Sequence, residues 1–131
     1  MFQKKLLLKK KKLKNASSIV FTGSTASYLP TFGNGIYGSS KAALTAYMKY
    51  CAKELSVKRI RANSIHPGMV ETNLIHGGAI SEEELQKDAA TYPLGRYGKP
   101  EEIAWAIIYL LSDAAAWVTG EEFVIDGGWS L

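Results

Sequence analysis

The sequence predicts an α/β domain built on a parallel sheet. Two observations carry this. Short β-branched runs alternate with longer amphipathic runs, which implies right-handed crossovers and helices packed on the faces of a sheet. Hydroxyl side chains and tight glycine turns follow directly after the strand-like runs, where open α/β sheets gather their ligands. The chain has 131 residues, 47% of them hydrophobic and 21% charged, the composition of a folded domain. A single cysteine, Cys51, rules out an intrachain disulfide and fits a reducing, cytoplasmic compartment.

Residues 1–14 carry Lys4, Lys5, Lys9, Lys10, Lys11, Lys12 and Lys14, and no acid. A secretory leader needs an apolar stretch of about 7–15 residues. Only Leu6, Leu7 and Leu8 stand there, so no leader is expected. The segment reads as the remnant of a lysine-rich helix, its cations placed at the negative end of the dipole. A patch for anionic lipid or nucleic acid and a cloning remnant remain as alternatives. From residue 15 onward there are 9 basic and 12 acidic residues, a balance of −3. A nucleic-acid-binding domain would spread positive charge over a folded face, so no nucleic-acid partner is expected. The longest apolar run, 103–111, is nine residues and too short for a membrane span.

The elements follow in order. Residues 18–22 (SIVFT) are β-branched and aromatic and read as a buried strand. Residues 23–36 hold three glycines and Pro30 and read as a loop. Residues 38–56 place Leu44, Met48, Cys51 and Leu55 at spacings of 3 and 4, an amphipathic helix. Residues 60–65 form a second strand, closed by Pro67-Gly68. Ser81 and Glu84 form a capping-box pattern that opens a helix to about 90. Pro100, Glu101 and Glu102 open another, running to about 112. Residues 123–126 form the last strand, before Gly127-Gly128.

Tyr37 and Lys41 are spaced i, i+4 and share one helix face. An ammonium beside a phenol favours its ionised form, and such a tyrosine can pass a proton to or from an oxygen. Ser24 follows the first strand, 13 residues before Tyr37, so a strand end and a helix start can bring both hydroxyls to one substrate oxygen. His66 and His76 have no cysteine, histidine or carboxylate cluster at ligand spacing, so no metal site is expected. Asn63 reads as structural, Cys51 as a buried small hydrophobe, Trp105 and Trp117 as packing residues.

The runs IVFTGSTAS, YGSSKAAL, IRANSIHPGMVET and YPLGRYGKPEEIAWAIIYLLSDAAAWVTGEEFVIDGG occur in this order. Together, over about residues 16–128, they resemble the C-terminal half of a short-chain dehydrogenase/reductase, most similar to the 3-oxoacyl-(acyl-carrier-protein) reductase-like branch. The resemblance implies one half of a Rossmann-like, doubly wound parallel sheet, with about three strands and flanking helices in residues 15–131. It implies hydride transfer between NAD(P)H and a carbonyl or alcohol. It matches Tyr37 to the catalytic acid/base, and Lys41 to the lysine that assists it and holds the nicotinamide ribose. Ser24 matches the serine that polarises the substrate carbonyl. Pro67 and Gly68 match the turn beside the nicotinamide, and Val70 and Thr72 the positions that bind its carboxamide. The phosphate-binding glycine turn, the residue that selects NAD or NADP, and a fourth catalytic asparagine would lie upstream of Met1.

On this reading residues 18–22 would leave a hydrophobic strand edge, and self-association is expected. Homo-oligomerisation would use the 38–56 helix and the C-terminal tail. Residues 73–98 match the variable cover over the substrate. The alternative is a truncated remnant without catalysis, acting only as an oligomerisation module.

Overall fold

The computed structural model describes residues 13–76 and 80–131. The predicted helix in the lysine-rich segment, apart from residues 13 and 14, and the side chain of His76 lie outside the described residues. Among the described residues three strands, β1 (Ser18–Thr22), β2 (Arg61–Pro67) and β3 (Glu122–Ile125), form one sheet in the order β1-β2-β3. Both pairings are parallel, with Ser18 opposite Arg61 and Ser64 opposite Glu122. The helices are α1 (Gly35–Leu55), α2 (Asn73–His76), α3 (Glu82–Ala89) and α4 (Pro100–Leu111). Among the described residues, no helix is long and apolar enough to cross a membrane.

The predicted strands and long helices all form, with ends shifted by one to three residues. Helix α1 starts at Gly35, three residues before the expected 38, so Tyr37 sits in its first turn. Asn34 Nδ2 donates to Thr31 Oγ1 at 2.7 Å, which orders the chain just ahead of that turn. Strand β2 runs on to Pro67, opposite Ile125. Proline is tolerated there because a strand end needs no further ladder donor. The short α2 lies inside what read as cover. The capping box at Ser81 forms as expected, with Glu84 Oε2 accepting from the Ser81 amide at 3.0 Å.

The sheet is covered on both faces. Met48, Cys51 and Leu55 of α1 pack with Ile60 and Ala62. On the opposite face Ile65 packs with Leu110 of α4 and Ala115. Ala62 and Ile65, three apart on β2, point to opposite faces, as strand alternation requires. Five consecutive residues of β2, from Ala62 to His66, are buried, the mark of a central parallel strand. Buried Asn63 ties β2 to the approach of β3: its Nδ2 donates to the Val118 carbonyl at 3.0 Å, and its Oδ1 accepts from the Glu121 amide at 3.1 Å. Arg61 caps the end of α4, donating to the carbonyls of Leu110 and Ser112 at 2.8 and 2.9 Å.

A third cluster lies beyond the carboxyl ends of the strands. Leu85 of α3 packs there with Tyr92 and Tyr97, and Trp129 closes it from the C-terminus. It stands over the strand ends and makes one side of a cleft.

Candidate active site

Ser24 stands just past β1 and caps a short 3-10 turn, Thr25–Ser27. Its Oγ accepts from the Ala26 amide at 3.2 Å. That oxygen therefore has its own proton to give. The turn is held from behind by His66, which is fully buried near the end of β2. His66 Nδ1 lies 3.1 Å from the Ser24 carbonyl and 3.1 Å from Ser27 Oγ. A carbonyl can only accept, so Nδ1 donates to Ser24. Nε2 pairs with Ser64 Oγ at 2.9 Å. Glu122 stands 3.7 Å from the same nitrogen and is itself paired with Lys49. The imidazole thus fixes the backbone of the serine turn to β2. Sequence reasoning weighed His66 only as a metal ligand and missed this role. Its position one residue before Pro67, at a buried strand end, was the available signal. Among the described residues, no group of three or more His, Cys, Asp or Glu side chains converges on one point.

Helix α1 brings Tyr37 to the serine turn by pressing on it. A Cβ at Gly38 would stand 2.6 Å from the carbonyl oxygen of Ala26, far inside contact distance. Only glycine lets the helix start approach this closely. Tyr37 is about half exposed, at 48%. Lys41, one turn on, reaches back across the sheet end: its Nζ donates to the Thr22 carbonyl at 2.9 Å and stands 5.6 Å from the centroid of the Tyr37 ring. The ammonium is therefore anchored to β1 and lies over the ring face.

The turn after β2 is as tight. A Cβ at Gly68 would stand 2.8 Å from Cβ of Asp126, so the ends of β2 and β3 touch there. Thr25 Oγ1 donates to the Pro67 carbonyl at 3.4 Å and links this turn to the serine turn. Val70 forms a parallel bridge with Gly98. That bridge uses the carbonyl of Met69 and the amide of Glu71, at 3.0 and 2.8 Å. Val70's own N–H and C=O therefore point to the other side, clear of Gly98. Thr72 is exposed, and its carbonyl accepts from the Ile75 amide at 3.1 Å.

A cleft of about 740 Å³ collects these parts. Of the residues the sequence singled out, Ser24, Tyr37 and Gly68 line it, and Lys41, Pro67, Val70 and Thr72 do not. Its far side is made by Leu85, Asp88, Tyr92 and Tyr97, within the span 73–98 expected as cover but not singled out there, and by Trp129, which lies outside that span. Trp129 stacks on Tyr92, centroids 6.0 Å apart, and Tyr97 meets Tyr92 edge-on at 5.5 Å. The Tyr97 hydroxyl donates to Asp88 at 2.6 Å. Burial, then that bond, pushes the Tyr97 phenol well above its ordinary value, and burial raises Tyr92 as well. Aromatic side chains spread from residue 92 to residue 129 carry no common spacing, so no local pattern announces them.

The family described as enoyl-(acyl carrier protein) reductase matches residues 4–130. The chain is 36% identical over 127 residues to carbonyl reductase family member 4 of Xenopus tropicalis, covering 97% of this chain and 51% of that protein. It is 38% identical over 115 residues to 3-oxoacyl-(acyl-carrier-protein) reductase FabG of Aquifex aeolicus, covering 87% and 43%. The chain thus spans about half the length of the curated relatives it matches. Among solved structures, a short chain dehydrogenase family protein from Francisella tularensis superposes with a TM-score of 0.85 at 36% identity, covering 98% of this chain and 56% of that one. A 4-hydroxyisoleucine dehydrogenase complexed with NADH superposes with a TM-score of 0.76 at 34% identity, covering 88% and 47%. The chain belongs to the short-chain dehydrogenase/reductase family, and within it is 3-oxoacyl-(acyl-carrier-protein) reductase-like.

Proposed function

We propose that this chain carries the proton-handling and nicotinamide-facing half of an NAD(P)-dependent oxidoreductase that interconverts a carbonyl and an alcohol. The observation that carries the reading is the convergence of Ser24 and Tyr37 on one cleft, with the Lys41 ammonium fixed behind the Tyr37 ring. In the reducing direction Ser24 Oγ donates a hydrogen bond to the substrate oxygen and Tyr37 gives it a proton. Lys41 offsets the negative charge left on the phenol. In the oxidising direction Tyr37 takes the proton back.

A bound nicotinamide supplies or accepts the hydride at the carbon. The residues present fit its nicotinamide end. Lys41 and Tyr37 offer donors for ribose hydroxyls, and Gly68 lines the cleft together with Tyr37. Val70's outward amide and carbonyl, with the Thr72 hydroxyl, suit a carboxamide. The unit would be residues 15–131, in a reducing cytoplasmic setting where free, buried Cys51 stays a thiol.

A second reading keeps only association, without turnover. Exposed Trp105, Ile108 and Leu111 on α4, and Trp117 after it, favour it, because grouped apolar side chains mark contact surfaces. On either reading we expect self-association, through α1 and the C-terminal tail as well. Titration of the purified chain with NADH and with NADPH separates the two. Saturable binding and carbonyl reduction support the enzyme; no binding at millimolar cofactor rejects cofactor-dependent catalysis by this chain.

A further inference from the structure

We propose that the cleft takes an uncharged carbonyl compound or alcohol with an apolar ring or chain, and rejects substrates whose ring or chain carries a carboxylate or phosphate toward the facing wall. This rests on the proposed oxidoreductase reading and deepens it. The cleft volume, about 740 Å³, is that of a small-molecule site. Opposite Ser24 and Tyr37 stands an apolar wall of Leu85, Tyr92, Tyr97 and Trp129. Leu85, Tyr92 and Tyr97 are each about 5% exposed or less, and the rings lock one another by stacking and edge contact. The wall is therefore a fixed apolar surface, ready for a ring or chain without reordering.

Charge decides the rest. Among the described residues, the charged side chains that line the cleft are Glu84 and Asp88, and no lysine or arginine lines it. The two carboxylates are four apart on α3 and share a face with Leu85 between them. The Ser81 amide and hydroxyl bonded to Glu84 hold its carboxyl below the usual range, so it stays ionised at neutral pH. Lys41, whose ammonium is bonded to the Thr22 carbonyl, stands outside the cleft lining. A substrate anion would face two carboxylates with no cation beside it, whereas an uncharged body loses nothing and gains the aromatic wall.

The test uses a matched pair, 4-phenylcyclohexanone and 4-(4-oxocyclohexyl)benzoate, which differ by one carboxylate. Binding is followed through the indole N–H resonance of Trp129, assigned by Trp129→Phe. The neutral ketone is expected to bind at least tenfold more tightly. Glu84→Gln and Asp88→Asn, the latter keeping an acceptor for the Tyr97 hydroxyl, are each expected to narrow that ratio severalfold by improving the carboxylate. Equal or tighter binding of the carboxylate, an unchanged ratio in both variants, or no shift with either ligand overturns the proposal. Turnover with NADH or NADPH is measured alongside. A ketone that binds selectively but is not reduced supports the substrate class while defeating the oxidoreductase reading. Reduction that favours the carboxylate defeats the substrate class while keeping that reading.

Discussion

The two walls of the cleft are built by different means. The reactive wall is backbone pressed on backbone. Helix α1 touches the serine turn through Gly38, the end of β2 touches the end of β3 through Gly68, and the buried His66 ring ties the turn down. The facing wall is side chain against side chain: Tyr92, Tyr97 and Trp129 pack with Leu85, while outside the cleft lining Arg96 grips Glu102 at the start of α4 by two bonds of 2.8 and 2.6 Å. The first wall holds few atoms in tight positions, as chemistry requires. The second fills volume, and several residue sets could do so. Substitutions in the two walls should therefore fail differently.

The largest effect in the first wall, after Tyr37 itself, is expected at Ser24. Ser24→Ala removes a hydrogen bond to a developing negative charge, a loss of about 1.5–3 kcal/mol. That corresponds to roughly a 10- to 100-fold fall in kcat/KM. Steady-state reduction of a ketone measures it, and an unchanged rate would remove Ser24 from the chemistry. Gly38→Ala comes next. The added methyl must displace either α1 or the serine turn, at a cost of about 1–3 kcal/mol in stability, and thermal melting should fall by several degrees. Unchanged melting would show that the contact between helix and turn is softer than the 2.6 Å approach implies.

The smallest effect is expected outside the cleft lining, at the Arg96–Glu102 pair next in sequence to the second wall's Tyr97, and it depends on pH. The Arg96 guanidinium, then the Lys99 amide, holds the Glu102 carboxyl down to about 2 from an ordinary 4.5. A carboxyl lowered by folding contributes stability above its ordinary value and loses it as pH falls toward 2. Glu102→Gln should therefore melt slightly below the parent at pH 7 and equal it near pH 2, by circular dichroism. Ketone reduction at pH 7 should change little, because the pair does not touch the cleft chemistry.

These walls also differed in how far sequence alone revealed them. The three strands, the long helices and the capping box at Ser81 were legible because hydrophobic period and cap chemistry are local. The places in the fold of Ser24, Tyr37, Lys41, Pro67 and Gly68, though not their roles, were legible because strand ends and a helix start leave local signals. Tyr92, Tyr97 and Trp129 were not, since only the fold brings residues 92 and 129 into one stack. His66 was overlooked because its partners, Ser24 and Ser27, lie about 40 residues away and bond through a carbonyl as well as a hydroxyl. The start of α1 was misplaced because Gly35 reads as loop when glycines are counted without their contacts.

The central claim is that Tyr37 moves the proton on a wall that also receives the nicotinamide. Tyr37→Phe tests it most directly, with cofactor affinity and carbonyl reduction measured on the same preparation. The account predicts cofactor binding within a few-fold of the parent and turnover lower by at least about 100-fold. Turnover retained in Tyr37→Phe would contradict it.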